Sequence, residues 1–251
     1  METLSEIEKI RYARHLILPE IGLEGQQKLK AASVLVVGAG GLGSTICVFL
    51  AACGVGRIGV IDADTVDLSN LQRQIIHTTP RVGMLKAESA REQMLAINPE
   101  IEVNAIPHRF TPENAARIAE DYQILVDGTD NFSTRLLINE LAVQTQRPFV
   151  YGAIYRFEGQ VSVFDASRGP CYRCLFPGQP PQDIPNAPPN GIFTPLPGTI
   201  ATLEASETIK LITGTGTPLI GRLLLYNALE MTFETIVLQK HPNCPVCGKP
   251  Q

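Results

Sequence analysis

Six residues, GAGGLG at positions 38–43, constrain this chain more than any other feature. Before them runs SVLVVG, short, apolar and rich in β-branched residues, the mark of a buried parallel strand. After them, small residues and aliphatics from Gly41 to Cys53 suit a helix packed closely on that strand. Gly38, Gly40 and Gly43 satisfy G-x-G-x-x-G, the spacing that turns a strand tightly into a helix and lets phosphate approach the helix N-terminus. A second apolar run, RIGVID, ends on Asp62, the acidic residue that such a βαβ unit places at the ribose hydroxyls. The nucleotide stays open at this point, because NAD, FAD and ATP all present phosphates to a helix N-terminus.

The alternation continues. KAESAREQMLAIN (86–98) has helical spacing and stops at Pro99; IEVNAI is a strand, TPENAARIAE a helix with a Thr-Pro opening, and QILVDG a strand. NFSTRLLINELAVQTQ is a helix and PFVYGAI the next strand. Such repetition predicts an α/β fold, a Rossmann-like, mostly parallel sheet with helices on both faces. Beyond residue 158 the pattern changes. GQVSVFD reads as an antiparallel strand, and residues 169–198 hold nine of the 19 prolines, which excludes helix and strand interiors there. A helix over 199–213 and two late strands, RLLLYNA and MTFETIVLQK, follow. The expected organisation is one domain: a helical segment over 1–30, a nucleotide-binding half over 31–155, and antiparallel strands, a proline-rich crossover loop and a cysteine-bearing tail over 156–251.

The balance of charge narrows the partners. A net charge of −4 supplies no basic field for a phosphate backbone, so nucleic acid is not an expected partner. No apolar run reaches the length of about 18 residues that a membrane span needs, and METLSEIEKIRYAR lacks the apolar core of a signal peptide. These features point to a cytoplasmic protein without membrane partners.

DADTVDLSNLQRQ (62–74) holds more polar chemistry than a dinucleotide site requires. Asp64, Asn70, Arg73 and Gln74 follow directly above the strand that ends at Asp62, Lys86 opens the next helix, and Asp130 stands in DGTDN just past another strand end. Arg73 can fork onto phosphate oxygens, and a carboxylate beside phosphate needs a cation between them, which makes Asp130 a sensible Mg²⁺ ligand. Singly, these residues read as a loop arginine, a surface lysine and a helix-capping aspartate. Converging on one sheet edge, they favour ATP.

Four of the six cysteines form two C-x-x-C pairs, Cys171 and Cys174 in CYRC, Cys244 and Cys247 in CPVC. Four thiolates make a closed tetrahedral Zn²⁺ site with no open catalytic position. The rival, a redox C-x-x-C, normally opens a helix in a thioredoxin-like unit, which the sequence does not suggest. Cys47 and Cys53 lie among aliphatics and read as core residues. His15 and His77 fall near site segments, without a recognisable orienting partner.

GAGGLG, DADTVDLSNLQRQ, Lys86, DGTDN and CYRC…CPVCG together, with RYARHLILPEIGLEGQQKL before and GAIYRFEGQVSVF between them, resemble the ThiF/MoeB/HesA adenylyltransferases, relatives of the ubiquitin-activating enzymes. The resemblance runs nearly end to end and lies closer to the molybdopterin branch than to the thiamine branch. It implies Mg-ATP-dependent adenylylation of the C-terminal glycine of a small ubiquitin-like sulfur carrier ending in Gly-Gly. By that likeness Asp62 holds the ribose, Asn70, Arg73, Gln74 and Lys86 the phosphates, and Asp130 the metal, with Gly38, Gly40, Gly41, Gly43, Asp64, Ser69 and Asn131 completing the nucleotide-binding set. Arg14, from RYAR, would reach across a homodimer into the partner's site. Several members carry a cysteine where NAPPNGIF here places Ala187, so adenylylation alone is expected, with sulfur delivered by a separate sulfurtransferase. An NAD(P)-dependent oxidoreductase accounts for GAGGLG and Asp62 but leaves Arg73, Lys86, Asp130 and the thiolates idle. A non-catalytic binding module would have no use for the phosphate-binding charges.

Overall fold

The computed structural model describes residues 3–178 and 191–248. Short helices α1 (Glu6–Arg11) and α2 (Ala13–Leu16) and the longer α3 (Gly22–Ala31) lead into β1 (Ser33–Val37). The first βαβ unit is β1, α4 (Gly41–Cys53) and β2 (Arg57–Ile61). Then come α5 (Lys86–Ile97), β3 (Glu102–Ile106), α6 (Pro112–Ala119), β4 (Ile124–Asp127), α7 (Phe132–Thr145), β5 (Phe149–Tyr155) and β6 (Glu158–Phe164). The chain closes with α8 (Tyr172–Leu175), α9 (Pro195–Thr213), β7 (Arg222–Asn227) and β8 (Thr232–Val237).

Among the described residues eight strands join one sheet in the order β3-β2-β1-β4-β5-β6-β7-β8. The first five are mutually parallel, and β5 to β8 pair antiparallel, as the change of pattern after residue 158 predicts. Side chains alternate across the sheet. Val34 and Val36 face a core built with α4, α5 and α9; Leu35 and Val37 face a second core under α6, α7 and α8. Burial on both faces explains the continuous apolar runs of the central strands. Among the described residues, no helix is long and apolar enough to cross a membrane.

Two expectations shift. The late helix begins at Pro195, not 199, because proline in a first helical turn gives up no hydrogen bond. The proline-rich stretch is not wholly irregular either. Cys171 sits at the N-cap of the one-turn helix α8, whose Tyr172 is buried against Phe132, Phe149, Tyr151, Phe164 and Phe176. Aromatic packing holds this turn in place.

Candidate active site and cysteine cluster

The chain leaves β1 toward β2 and leaves β4 toward β5, so the C-terminal ends of these adjacent strands open into a crevice. Ligands of open α/β sheets bind at such a reversal. Gly38 follows β1 at φ +98°, and a Cβ there would stand 2.7 Å from the Gly128 carbonyl oxygen just past β4. A Cβ on Gly43 would collide with the Gly38 carbonyl. Glycine at both places lets α4 start hard against the sheet, with its first N–H groups beside the crevice.

A cavity fills the crevice. Gly38, Gly40, Gly41, Asp62, Asp64, Arg73, Gln74, Lys86, Asp130 and Asn131 line it, all of them residues singled out by sequence. Asp62 organises one wall: its Oδ2 accepts from the Ala39 N–H at 2.8 Å and its Oδ1 from the Asp64 N–H at 2.8 Å. Lys86, only 8% exposed, pairs with the Asp64 carboxylate at 3.1 Å. A buried ammonium next to a glycine loop suits a multiply charged anion, and Asp64 holds it there meanwhile. The segment between Asp62 and Lys86 forms two 3₁₀ turns. In the first, Asp67 accepts from the Ser69 N–H at 2.8 Å and from its hydroxyl, and the Asn70 carbonyl accepts from the N–H groups of Arg73 and Gln74. Those hydrogen bonds present Arg73 and Gln74 to the cavity. Gln74 is buried, and its Oε1 has no hydrogen-bond partner among the described residues.

Asp130 and Asn131 separate into different roles. Asn131 is the N-cap of α7, accepting from the Thr134 N–H at 2.9 Å. Asp130, exposed at the cavity, has neither a hydrogen bond nor an ion pair among the described residues. An unengaged carboxylate facing space that cations and N–H groups prepare for phosphate is the hard oxygen donor Mg²⁺ takes.

Ser69, Asn70 and Gly43 do not line the cavity; the first two shape the turn and the third the α4 junction. Arg14 lies exposed on α2 and is likewise absent from the cavity wall. Ala187 lies outside the described residues.

His15 and His77 need correction, since both have orienting partners. His15 Nδ1 lies 2.9 Å from Gln26 Oε1, and His77 is held at both ring nitrogens. Nε2 donates to the Ala39 carbonyl at 2.9 Å, which can only accept, and Nδ1 is left to accept from the Ser89 hydroxyl at 2.8 Å. Burial lowers its pKa, so the neutral ring braces the glycine loop from below. Arg135, Thr129, Gly128, Ile154 and Ile192 also line the cavity and carried no motif signal beyond DGTDN itself.

The four cysteine sulfurs lie within 4.8 Å of one another. Cys171 stands 4.0 Å from Cys174 and 3.6 Å from Cys244, and Cys174 is 3.5 Å from Cys247. A tetrahedron with Zn–S bonds of about 2.3 Å has edges of about 3.8 Å, so the spacing fits a four-thiolate metal centre. Cys47 and Cys53 are buried, each thiol pushed up to about 12 chiefly by burial, as core residues should be.

A mostly parallel sheet with a glycine-loop crevice, facing cations and a free carboxylate defines a nucleotide-binding α/β protein with an appended cysteine cluster. Comparison with known proteins narrows the class. The ThiF family model matches residues 12–246. A sulfur carrier protein adenylyltransferase of Thermus thermophilus is 49% identical over 244 residues, covering 95% of this chain and 90% of its own. A probable adenylyltransferase/sulfurtransferase, MoeZ, of Mycobacterium tuberculosis is 50% identical over 96% of this chain, which spans 63% of that longer protein. Among solved structures, E. coli MccB with ATP superposes with a TM-score of 0.86 at 25% identity, over 97% of this chain and 75% of its own. The chain belongs to the ThiF family.

Proposed function

We propose that this protein uses Mg-ATP to adenylylate the C-terminal glycine carboxylate of a small ubiquitin-like sulfur carrier ending in Gly-Gly. The observation that carries the reading is the cavity itself, where the glycine loop, Arg73 and Lys86 face the unengaged carboxylate of Asp130. These charges exceed what a nicotinamide dinucleotide asks of a site, whereas a triphosphate uses all of them.

In the reaction, a carboxylate oxygen of the carrier attacks the α-phosphorus of ATP. The new bond makes a mixed acyl-phosphate anhydride, the bond from the α-phosphorus to the bridging oxygen breaks, and pyrophosphate leaves with the electron pair. No protein nucleophile is needed, so catalysis is positioning plus neutralisation of charge. Asp62 takes the ribose hydroxyls with lone pairs not used by Ala39 and Asp64. The α4 N-terminus and Gln74 face the phosphates, and Arg73 and Lys86 offset the charge that gathers on pyrophosphate. When bound, Mg²⁺ held by Asp130 adds Lewis-acid neutralisation of the phosphate oxygens.

The thiolate cluster holds Zn²⁺ as a structural ion. We further assign a homodimer in which Arg14 completes the partner's site, and a separate sulfurtransferase that acts on the acyl-adenylate. Exposed apolar side chains on and beside α1 and α2 (Ile7, Ile10 and Ile17) and next to the site segment (Leu68 and Ile75) support an interface there. ATP–pyrophosphate exchange tests the reading. Exchange that requires a Gly-Gly carrier is the expected result; nicotinamide-dependent turnover, or carrier-independent exchange, overturns it.

A further inference from the structure

At the wall of the cavity, lined in part by Thr129 and Arg135, a closed ring of hydrogen bonds ties the turn that carries Asp130 to the sheet. Asp127, the last residue of β4, is fully buried. Its Oδ1 accepts from the N–H of Thr129 at 2.8 Å and from its hydroxyl at 2.6 Å, and its Oδ2 from Nε of Arg135 at 2.7 Å. Arg135 closes the ring: Nη2 donates to the Thr129 carbonyl at 2.8 Å and, at 3.3 Å, to the carbonyl of Gly152 on β5. The guanidinium also lies over the Tyr151 ring, 5.5 Å from its centroid. One planar cation thus joins the end of β4, the turn, α7 and β5.

A buried ion pair is a poor way to gain stability alone, because desolvating both charges cancels most of their attraction. What it supplies is direction. The Arg135 fork holds three acceptors at once, and the residue after Thr129 is Asp130. We propose that Arg135 is a positioning residue of the adenylylation site: through Asp127 and Thr129 it fixes the turn that presents the Asp130 carboxylate to the cavity, where that carboxylate would hold a divalent cation. The inference rests on Asp130 as the metal-holding group. It adds that the metal's contribution to nucleotide binding depends on a side chain outside the phosphate-contacting set.

The test compares affinity for α,β-methylene ATP with and without Mg²⁺, by calorimetry, in the wild type, R135K, T129V and D130N. Lysine keeps a charge beside Asp127 but cannot bridge Thr129 and Gly152 together, and T129V removes one link while Arg135 stays. R135K should lose about tenfold of the Mg²⁺-dependent gain in affinity, the scale on which groups that orient a metal ligand act. T129V should lose a smaller part of it, and in both variants affinity should fall further with Mg²⁺ than without. An unaltered Mg²⁺ gain in both variants overturns the proposal, and so does an equal fall without metal, which would place Arg135 on the nucleotide itself. Should R135K fail to fold, T129V carries the test alone. D130N separates the two levels: if it keeps the full Mg²⁺ gain, the assignment of Asp130 fails, whereas loss there with none in R135K and T129V sinks only the positioning role.

Discussion

Glu204 is a carboxyl group with nothing to answer it. It sits on α9, fully buried, with neither oxygen hydrogen-bonded among the described residues, and its head group fills the place where a side chain on Gly152 would begin. Burial pushes its pKa well above the ordinary carboxylate value, Asp127 pushes it further, and Arg135 pulls back only in part. A native pKa above the unfolded one means that the folded chain holds a proton the unfolded chain gives up. Stability is therefore lost as pH rises from the ordinary carboxylate range toward the native pKa, at about 1.4 kcal/mol per pH unit. Glu204→Gln removes that loss. Melting curves of the two proteins should nearly coincide near pH 4.5 and separate progressively as pH rises above it, with the variant the more stable. Curves that stay parallel would mean that Glu204 is charged when folded. Lys86 is the opposite case at the same scale, a buried cation whose answering carboxylate, Asp64, is mostly solvated and so can be exchanged for phosphate.

At the scale of elements, the cysteine cluster joins what the backbone does not. It holds α8, which follows β6, to the segment after β8, and the His241 N–H donates to the Cys174 sulfur at 3.4 Å. Removing the metal with a strong chelator should release one Zn²⁺ per chain and strip amide-exchange protection from residues 171–178 and 241–248. Metal-dependent nucleotide binding, re-measured with Mg²⁺ restored, should persist, because the crevice lies at the ends of β1 and β4. Protein isolated without bound zinc, or loss of the nucleotide site along with the cluster, would contradict the clamp. The parallel elements were legible in sequence because each is a local signal. SVLVVG gives Ser33–Val37, and the helix stopping before Pro99 is Lys86–Ile97. Many of the cavity-lining residues were legible too, since DADTVDLSNLQRQ and DGTDN are contiguous motifs at strand ends. The brace behind them was not. Arg135 meets Asp127 only because α7 folds back over β4, His77 meets a carbonyl 38 residues away, and α8 exists through its aromatic neighbours. Such partners are set by topology, and no spacing rule announces them.

At the scale of the whole molecule, a sheet edge and an apolar face stay uncovered among the described residues. The edge strand β8 is exposed along its length, and the N-terminal helices keep Ile10 79% and Ile17 68% exposed although α3, which follows, docks on the core. Arg14 lies exposed between Ile10 and Ile17 in sequence and is not among the residues that line its own chain's cavity. If two copies meet through this face about a two-fold axis, each arginine serves the other's site, and the active unit is the dimer. Complementation decides the point. R14A and D130N should each be inactive alone in carrier-dependent exchange. Mixed in equal amounts and allowed to exchange subunits, half of the dimers become hybrids, and each hybrid has one site with a native Asp130 and a native Arg14 from its partner. Activity should then return to about a quarter of the wild-type level, the share of intact sites that random pairing produces. An arginine acting within its own chain predicts no recovery at any mixing ratio, since no subunit in the mixture carries both residues.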